Sequence, residues 1–292
     1  MFHGVMAAIV TPFSKGRVDE EAFRRLINHQ IENGISAIVP CGTTGESATL
    51  SPKEHKQVIQ IAIDEIKGRI PVLAGTGSNS TAEAIALTVH AKEAGADGVL
   101  MISPYYNKPT QEGIYRHFKA VAEAAAPLPI IVYNIPGRTA SNMLPETTAR
   151  LAELENIVGI KEATGDMTQM AKTIELCGPD FAVISGDDGL TLPLLAIGGK
   201  GVISVTCHLV PARMVEMYNL FQAGELDKSR ELYYSLLPLF RAMFIETNPI
   251  PVKTALGMMG MIEPELRPPL YPMSQDNQAR LRSVLDDYGL LK

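Results

Sequence analysis

The chain has few of the residues that a disulfide framework, a metal site or a nucleic-acid surface would need. Its three cysteines, Cys41, Cys177 and Cys207, are scattered and odd in number, which favours reduced thiols in the cytoplasm. Its six histidines show no metal-ligand spacing among themselves or with the cysteines, so we expect no metal. The net charge of −6 and the lack of a basic block argue against a nucleic-acid partner.

Long apolar runs and processing signals are also missing. The longest apolar runs have the length of a β-strand, so the sequence predicts no membrane span. The first residues lack a basic region followed by an apolar stretch, so we expect no signal peptide. No Gly-x-Ser-x-Gly segment marks a serine hydrolase, and Cys41 has no candidate base beside it, so we interpret it as a packing residue.

What is present is an alternation of short apolar runs with longer amphipathic stretches. The runs recur at a spacing of roughly 25 to 30 residues, which fits one βα unit each. Segments Ser51–Glu54 and Ser80–Glu83 have the pattern of capping boxes at helix starts. The eight predicted strands are Val5–Val10, Ser36–Pro40, Ile70–Ala74, Gly98–Ile102, Ile130–Tyr133, Ile157–Lys161, Ala182–Ser185 and Gly201–Val205. Eight β-then-α units predict an α/β fold, a (β/α)8 TIM barrel.

An open, doubly wound sheet is the competing architecture. It predicts fewer strands and often a phosphate-binding glycine turn, and Gly75–Ser80 is half of such a turn, with Ser80 in place of the third glycine. From about His208 onward only helical periodicity is visible. We therefore predict a catalytic barrel over residues 1–224 and a small C-terminal helical extension over residues 225–292.

Lys161 stands at the end of an apolar strand, where an ammonium loses its hydration. Burial favours the neutral amine, and a neutral amine can attack a carbonyl to form a Schiff base. The plain alternative is that Lys161 pairs with Glu162 at a strand terminus. Because catalytic groups of barrels come from the C-terminal ends of strands, we expect the partners of Lys161 at the ends of the other strands.

The second and fifth strands end in residues that suit an anionic substrate. Thr43 and Thr44 lie between two glycines, where the backbone can turn tightly and present N–H groups and hydroxyls to a small anion. Tyr133 can relay a proton, and Arg138 can hold a carboxylate with two hydrogen bonds. The plain alternatives are a glycine-rich turn, a core tyrosine and a solvated arginine.

Two further strand ends carry conspicuous pairs. Tyr105 and Tyr106 follow the fourth strand, and two tyrosines in a loop indicate a site or an interface. Asp187 and Asp188 follow the seventh strand, and they suit either metal ligation or, in our preferred interpretation, a helix N-cap.

Together, four of these motifs resemble those of the 4-hydroxy-tetrahydrodipicolinate synthases, also called dihydrodipicolinate synthases, in the pyruvate-dependent lyase superfamily that includes N-acetylneuraminate lyase. The resemblance covers essentially the whole chain. The motifs are Gly42–Ser47, Ser103–Thr110, Tyr133–Thr139 and Gly159–Gly165.

The resemblance implies a role for each matching residue. Lys161 would form the Schiff base with pyruvate. Tyr133 would shuttle protons, linked to Thr43 and to Tyr106, whose family equivalent reaches in from a neighbouring subunit. The remaining residues implied in substrate binding are Thr44 for the pyruvate carboxylate, Arg138 for the carboxylate of L-aspartate 4-semialdehyde, and Gly186 and Ile203 as pocket lining.

The implied activity is that of a carbon–oxygen lyase in the diaminopimelate route to lysine, without a cofactor. The implied assembly is a cytoplasmic homotetramer built as a pair of tight dimers. Thr43-Thr44 and Arg138 favour a short, charged aldehyde. The alternatives are aldolases for 2-keto-3-deoxy sugar acids, 4-hydroxy-2-oxoglutarate or N-acetylneuraminate, and a regulatory relative that has lost catalysis.

Feedback inhibition by L-lysine is a further implication, because inhibited family members bind lysine at the tight-dimer interface. Glu83 would supply a carboxylate and His55 a polar neighbour. One departure is Pro52, which stands where some inhibited members carry a second histidine. The matching positions are Ser47, Ala48, His55, Asn79, Glu83 and Tyr105.

Overall fold

The computed structural model describes residues 2–291 and contains an eight-stranded, all-parallel sheet that closes on itself. The sheet order is β4-β1-β10-β9-β8-β7-β6-β5, and a parallel bridge between Ile38 and Val72 joins its two ends. The strands are β1 Gly4–Ala7, β2 Phe13–Ser14, β3 Arg17–Val18, β4 Ala37–Ile38, β5 Leu73–Gly75, β6 Gly98–Ile102, β7 Ile130–Asn134, β8 Ile157–Glu162, β9 Ala182–Ser185 and β10 Gly201–Ser204. Closure confirms the TIM barrel and rules out the open sheet.

Helices follow the barrel strands and cover the outside of the sheet. The last three, α10 to α12, form the C-terminal helices that the sequence predicted, whereas a division at residue 224 stays a prediction. The helices are α1 Glu20–Glu32, α2 Pro52–Ile66, α3 Thr81–Ala94, α4 Gln111–Ala125, α5 Pro136–Thr139, α6 Pro145–Ala152, α7 Met167–Cys177, α8 Thr191–Ala196, α9 Pro211–Gln222, α10 Leu226–Ala242, α11 Ile250–Met258 and α12 Gln275–Asp287. In residues 2–291, no helix combines the length and apolar character needed to span a membrane.

The core has two parts, because successive side chains of a strand point to opposite faces. Along β6, Val99 and Met101 pack in the layer between strands and helices, while Leu100 packs inside the barrel. The inner cluster also contains Met6, Ile131 and Tyr133. This inner cluster fills the barrel below the residues at the C-terminal ends of the strands.

All eight predicted strands exist, but six have different bounds, and for two of these the physical reason is identifiable. The first ends at Ala7 rather than Val10, because the N–H of Val10 bonds Nε2 of His208 instead of a neighbouring strand. The third begins at Leu73 rather than Ile70, because Pro71 has no N–H to donate to a ladder. The antiparallel hairpin of β2 and β3 was not predicted.

The two predicted capping boxes differ in outcome. Ser51 and Glu54 form a complete box, with each side chain bonded to the other residue's backbone N–H. Ser80 caps α3, but the carboxylate of Glu83 accepts from the hydroxyl of Ser78 rather than from the Ser80 backbone. The second box is therefore only half formed, and the prediction of a full box there was wrong.

Candidate active site

Lys161 and Tyr133 meet inside the mouth of the barrel. They are register partners on the neighbouring strands β8 and β7. Nζ of Lys161 lies 4.3 Å from the centroid of the Tyr133 ring. Lys161 is 7% exposed and Tyr133 is 5% exposed, so an amine and a phenol share one largely dehydrated site.

The surroundings of Lys161 favour a neutral amine. Burial lowers its pKa from 10.5 to about 8, and the positive charge of Arg138 acts in the same direction, while the carboxylate of Asp188 opposes the shift. Within residues 2–291, no carboxylate lies within ion-pair distance of its Nζ. A lysine of this kind carries an appreciable fraction of free amine near neutral pH, as a nucleophile requires.

Glu162 is not the partner of Lys161, and that alternative was wrong. It faces the other side of β8, where its carboxylate accepts from Nδ2 of Asn134, Nε2 of Gln169 and the N–H of Thr164. The pleat of the strand separates the two neighbours, which leaves the amine of Lys161 unneutralised.

Tyr133 keeps its proton at neutral pH. Burial raises the pKa of its phenol to about 12, and the negative charge of Glu162 adds to the shift. The positive charge of Arg138 and a hydrogen bond from Thr43 act in the opposite direction. A protonated phenol beside the amine is suited to relay a proton between the groups around it.

The turn after β4 holds Thr43 and Thr44 at the rim of this site. The N–H of Glu46 donates to the carbonyl of Thr43 at 3.1 Å, which closes the turn. Thr44 is buried, and its Oγ1 accepts from Nδ2 of Asn248 at 2.9 Å. Since a hydroxyl has one donor and two acceptor positions, the Thr44 proton stays available for an anion.

Arg138 and Gly186 lie near the same amine, and Ile203 belongs to the inner cluster that also contains Tyr133. Arg138 is on the short helix α5, and its Nη2 donates to the carbonyl of Asn248 at 3.1 Å. A Cβ on Gly186 would lie 2.6 Å from Cβ of Ala163 and 3.0 Å from Cε of Lys161, so the space beside the amine fits a glycine. Ile203 is buried in the inner cluster of the barrel. The structure therefore brings seven of the eight predicted catalytic and substrate-binding residues to the barrel mouth.

Tyr106 is the exception. Its side chain is 87% exposed and its φ of +72° lies in the left-handed region, which is uncommon for a bulky residue. A side chain that is this exposed does not enter the buried site of its own chain.

The residues matched to a lysine site lie beside the glycine turn. Ser47 and Ala48 begin a 3₁₀ turn directly after it, and His55 is buried on α2. Burial lowers the pKa of His55, while a hydrogen bond with the backbone of Gly75 and, more weakly, the charge of Glu83 oppose the shift. Nδ2 of Asn79 donates to the carbonyl of Tyr105 at 3.1 Å, which joins the two loops that carry them.

The aspartate pair after β9 has two separate structural roles. Asp187 caps a 3₁₀ turn by accepting from the N–H of Gly189, as the preferred interpretation predicted. Asp188 is buried and accepts instead from the N–H groups of Val205 and Thr206. Across residues 2–291, no group of three or more His, Cys, Asp or Glu side chains could hold a metal ion.

Three residues that contact this region were missed from the sequence. Asn248 bonds both Thr44 and Arg138, and Glu46 pairs with Lys253 behind the turn. A lone lysine in the apolar run Ile250–Leu256 was an available signal, because such a residue needs a buried partner. Which acid it would meet is not visible in the sequence.

Comparison with known proteins agrees with this geometry. The sequence model of the dihydrodipicolinate synthetase family matches residues 1–288. The 4-hydroxy-tetrahydrodipicolinate synthase of Syntrophobacter fumaroxidans is 60% identical over 292 residues, with 100% of each chain covered. The enzyme of that name from Nitratidesulfovibrio vulgaris is also 60% identical, over 291 residues and 99% of each chain.

Solved structures give the same result. The dihydrodipicolinate synthase of Acinetobacter baumannii complexed with pyruvate has a TM-score of 0.97 at 46% identity, over 100% of each chain. The enzyme of Cyanidioschyzon merolae with lysine bound has a TM-score of 0.96 at 43% identity, over 99% of each chain. This chain belongs to the dihydrodipicolinate synthetase family.

Proposed function

We propose that this chain is a 4-hydroxy-tetrahydrodipicolinate synthase, a lyase that condenses pyruvate with L-aspartate 4-semialdehyde on the route to diaminopimelate and lysine. The observation that carries the proposal is the buried amine of Lys161 beside the phenol of Tyr133. Full-length relatives that are 60% identical and carry this name support it over the other pyruvate-dependent aldolases.

In the first step, the neutral amine of Lys161 attacks the keto carbon of pyruvate. Water leaves, and the nitrogen becomes part of an iminium ion. The pyruvate carboxylate accepts hydrogen bonds from the turn at Thr43 and Thr44, which keeps the keto carbon near the amine. Tyr133 supplies and recovers the protons that this exchange requires.

In the second step, the iminium withdraws electrons from the pyruvate methyl group, which loses a proton and gives an enamine. The enamine carbon bonds to the aldehyde carbon of the semialdehyde, whose carboxylate pairs with Arg138. The substrate's own amine then attacks the iminium carbon, closes the ring and releases Lys161 as a free amine.

We further propose that Tyr106 completes the site of a partner subunit, in a homotetramer built from tight dimers. Its exposure and left-handed backbone support this, because an exposed aromatic ring on a constrained loop is typical of a contact surface. The cytoplasmic location stays a prediction from the cysteine pattern.

We propose feedback inhibition by L-lysine at the cluster formed by Ser47, Ala48, His55, Asn79, Glu83 and Tyr105. The lysine-bound relative from Cyanidioschyzon merolae supports this, as does the hydrogen bond that joins the loops of Asn79 and Tyr105. Pro52 removes one polar group that some inhibited members offer. Activity that does not change in millimolar lysine would contradict this part of the proposal.

The deciding experiment is a coupled assay with pyruvate and L-aspartate 4-semialdehyde, in which dihydrodipicolinate reductase and NADPH consume the product. Sustained NADPH oxidation is the expected result. Trapping of a pyruvate adduct by borohydride without turnover would keep the Schiff-base chemistry and transfer the assignment to a sugar-acid or oxoglutarate aldolase. Absence of both would leave a non-catalytic relative.

A further inference from the structure

The turn that carries Thr43 and Thr44 is attached to the C-terminal helices by a fully buried ion pair. Glu46 directly follows Gly45, has a φ of +53°, and is held in this left-handed conformation with its carboxylate pointing away from solvent. Nζ of Lys253, on helix α11, donates to Oε1 of Glu46 at 2.5 Å, and both side chains are 0% exposed.

Each end of this pair has additional fixed contacts. Nζ of Lys253 also donates to the carbonyl of Thr11 at 3.0 Å and lies 4.2 Å from the centre of the Phe13 ring. The hydroxyl of Thr11 donates to the carbonyl of Gly45 at 2.7 Å, and Oε2 of Glu46 accepts from the N–H of Arg267 at 3.2 Å. The pair is therefore anchored to the backbone on both sides of the turn.

Asn248 makes a second connection to the same turn. Its side-chain amide donates to Oγ1 of Thr44, and its carbonyl accepts from Nη2 of Arg138. Asn248 thus contacts both Thr44, which is proposed to bind pyruvate, and Arg138, which is proposed to bind the semialdehyde. These bonds span more than 200 residues of sequence in the case of Thr44 and 110 residues in the case of Arg138.

We propose that Lys253, acting through Glu46, and Asn248, acting on Thr44, are positioning residues for the pyruvate carboxylate. This inference rests on the proposed function, because it takes the turn at Thr43 and Thr44 as the carboxylate site. The segment 248–253 is then part of the substrate site although none of its side chains is a reacting group.

Stability alone is a weak explanation for this pair. The desolvation of two buried charges offsets much of their attraction, and apolar replacements of such pairs are often as stable. Its location is informative, since a displacement of about 1 Å in a substrate-positioning group can cost on the order of 10²-fold in rate. The hydrogen bond from Asn248 to Oγ1 of Thr44 also orients the Thr44 hydroxyl, so that its proton faces away from Asn248.

The test measures the pyruvate concentration at which borohydride trapping is half maximal in the full-length protein. In Lys253→Met and in Asn248→Ala we expect that concentration to rise about tenfold. This is the effect of losing one hydrogen bond from the turn to the charged carboxylate of pyruvate. Trapping at saturating pyruvate should stay complete because Lys161 is unchanged, and KM for the semialdehyde should change by less than about twofold. Lys253→Arg should recover most of the pyruvate affinity.

Arg25→Met is the matched control, because it breaks an exposed ion pair with Glu21 and should change nothing. The inference would be overturned if the pyruvate concentration for half-maximal trapping were unchanged in folded Lys253→Met and Asn248→Ala, even if their melting temperatures were lower. Should Lys253→Met fail to fold, Asn248→Ala decides alone, since it leaves no buried charge unpaired. A parent protein that traps no pyruvate would overturn the proposed function and this inference with it, whereas a reactive parent with unshifted variants would overturn the inference alone.

Discussion

Lys161 and Lys253 are both buried, yet within the described residues 2–291 only Lys253 has a carboxylate within hydrogen-bonding distance. Around Nζ of Lys253 lie Oε1 of Glu46, the carbonyl of Thr11 and the face of the Phe13 ring, which all suit an ammonium. Lys161 has the Tyr133 ring and the cationic neighbour Arg138 instead. Burial lowers the pKa of both lysines, but Glu46 opposes that shift at Lys253 by charge and by a hydrogen bond.

The comparison shows that burial alone does not make a lysine reactive. A buried ammonium with an acceptor on every side is a structural cation. A buried amine without a carboxylate loses stability in its charged form and gains nucleophilicity in its neutral form. Under the proposed function, one residue type serves two purposes in this chain: Lys161 for chemistry at the barrel mouth and Lys253 for attachment behind it.

The largest expected effect is the loss of activity when Lys161, rather than Lys253, is replaced. Lys161→Ala removes the nucleophile, so turnover should fall by about 10³-fold or more and the borohydride-trapped adduct should disappear. Lys172→Ala is the control, since that lysine is exposed and pairs only with Glu175 on the same helix. Mass spectrometry after reduction with pyruvate detects the adduct. A pyruvate adduct that persists in Lys161→Ala would show that another amine reacts.

The barrel and the burial of Lys161 at a strand end were predictable from the sequence because both are encoded locally. The apolar run of β8 contains one lysine close to its end, which a sequence shows directly. The rule that sites lie at the C-terminal ends of barrel strands then pointed to Lys161, Tyr133 and the Thr43 turn as one group. The side chain of Glu83 was less predictable, since Ser78 competes with the capping position for its carboxylate.

The attachment behind the turn could not be predicted in the same way. Glu46 and Lys253 are 207 residues apart, and Asn248 is 204 residues from Thr44. Their contacts depend on how the segment before α11 folds back over the barrel mouth. No periodicity or spacing in the sequence predicts that path. The sequence therefore indicates that Lys253 is buried, but it does not indicate that Glu46 is the acid with which it pairs.

The second prediction compares the two lysines by stability. Lys253→Met leaves the carboxylate of Glu46 buried and unpaired, so the free energy of unfolding should fall by about 3–5 kcal/mol. The double variant Glu46→Gln/Lys253→Met should lose less, because no charge is then left alone. Lys161→Met should cost nothing or increase stability, since it removes an unpaired amine from an apolar site. Urea unfolding followed by circular dichroism measures all three, and an equal loss in both single variants would refute the distinction.

The smallest expected effect is a pH dependence that belongs to Lys161 alone. Its pKa is lowered from 10.5 to about 8, so the unfolded chain holds a proton between those values that the native state has released. The stability of the parent relative to Lys161→Met should therefore rise between pH 8 and 10.5, by about 3 kcal/mol in total. Because the neutral amine is the proposed nucleophile, the second-order rate of pyruvate trapping should also rise about fivefold from pH 7 to pH 8 and about a further twofold by pH 10, where it levels off. Lys253→Arg should keep the same pH profile, since its cation lies outside the reacting groups. A trapping rate that is flat from pH 7 to pH 9 would mean that the amine of Lys161 is already free at neutral pH, and that its surroundings lower the pKa further than burial beside Arg138 accounts for.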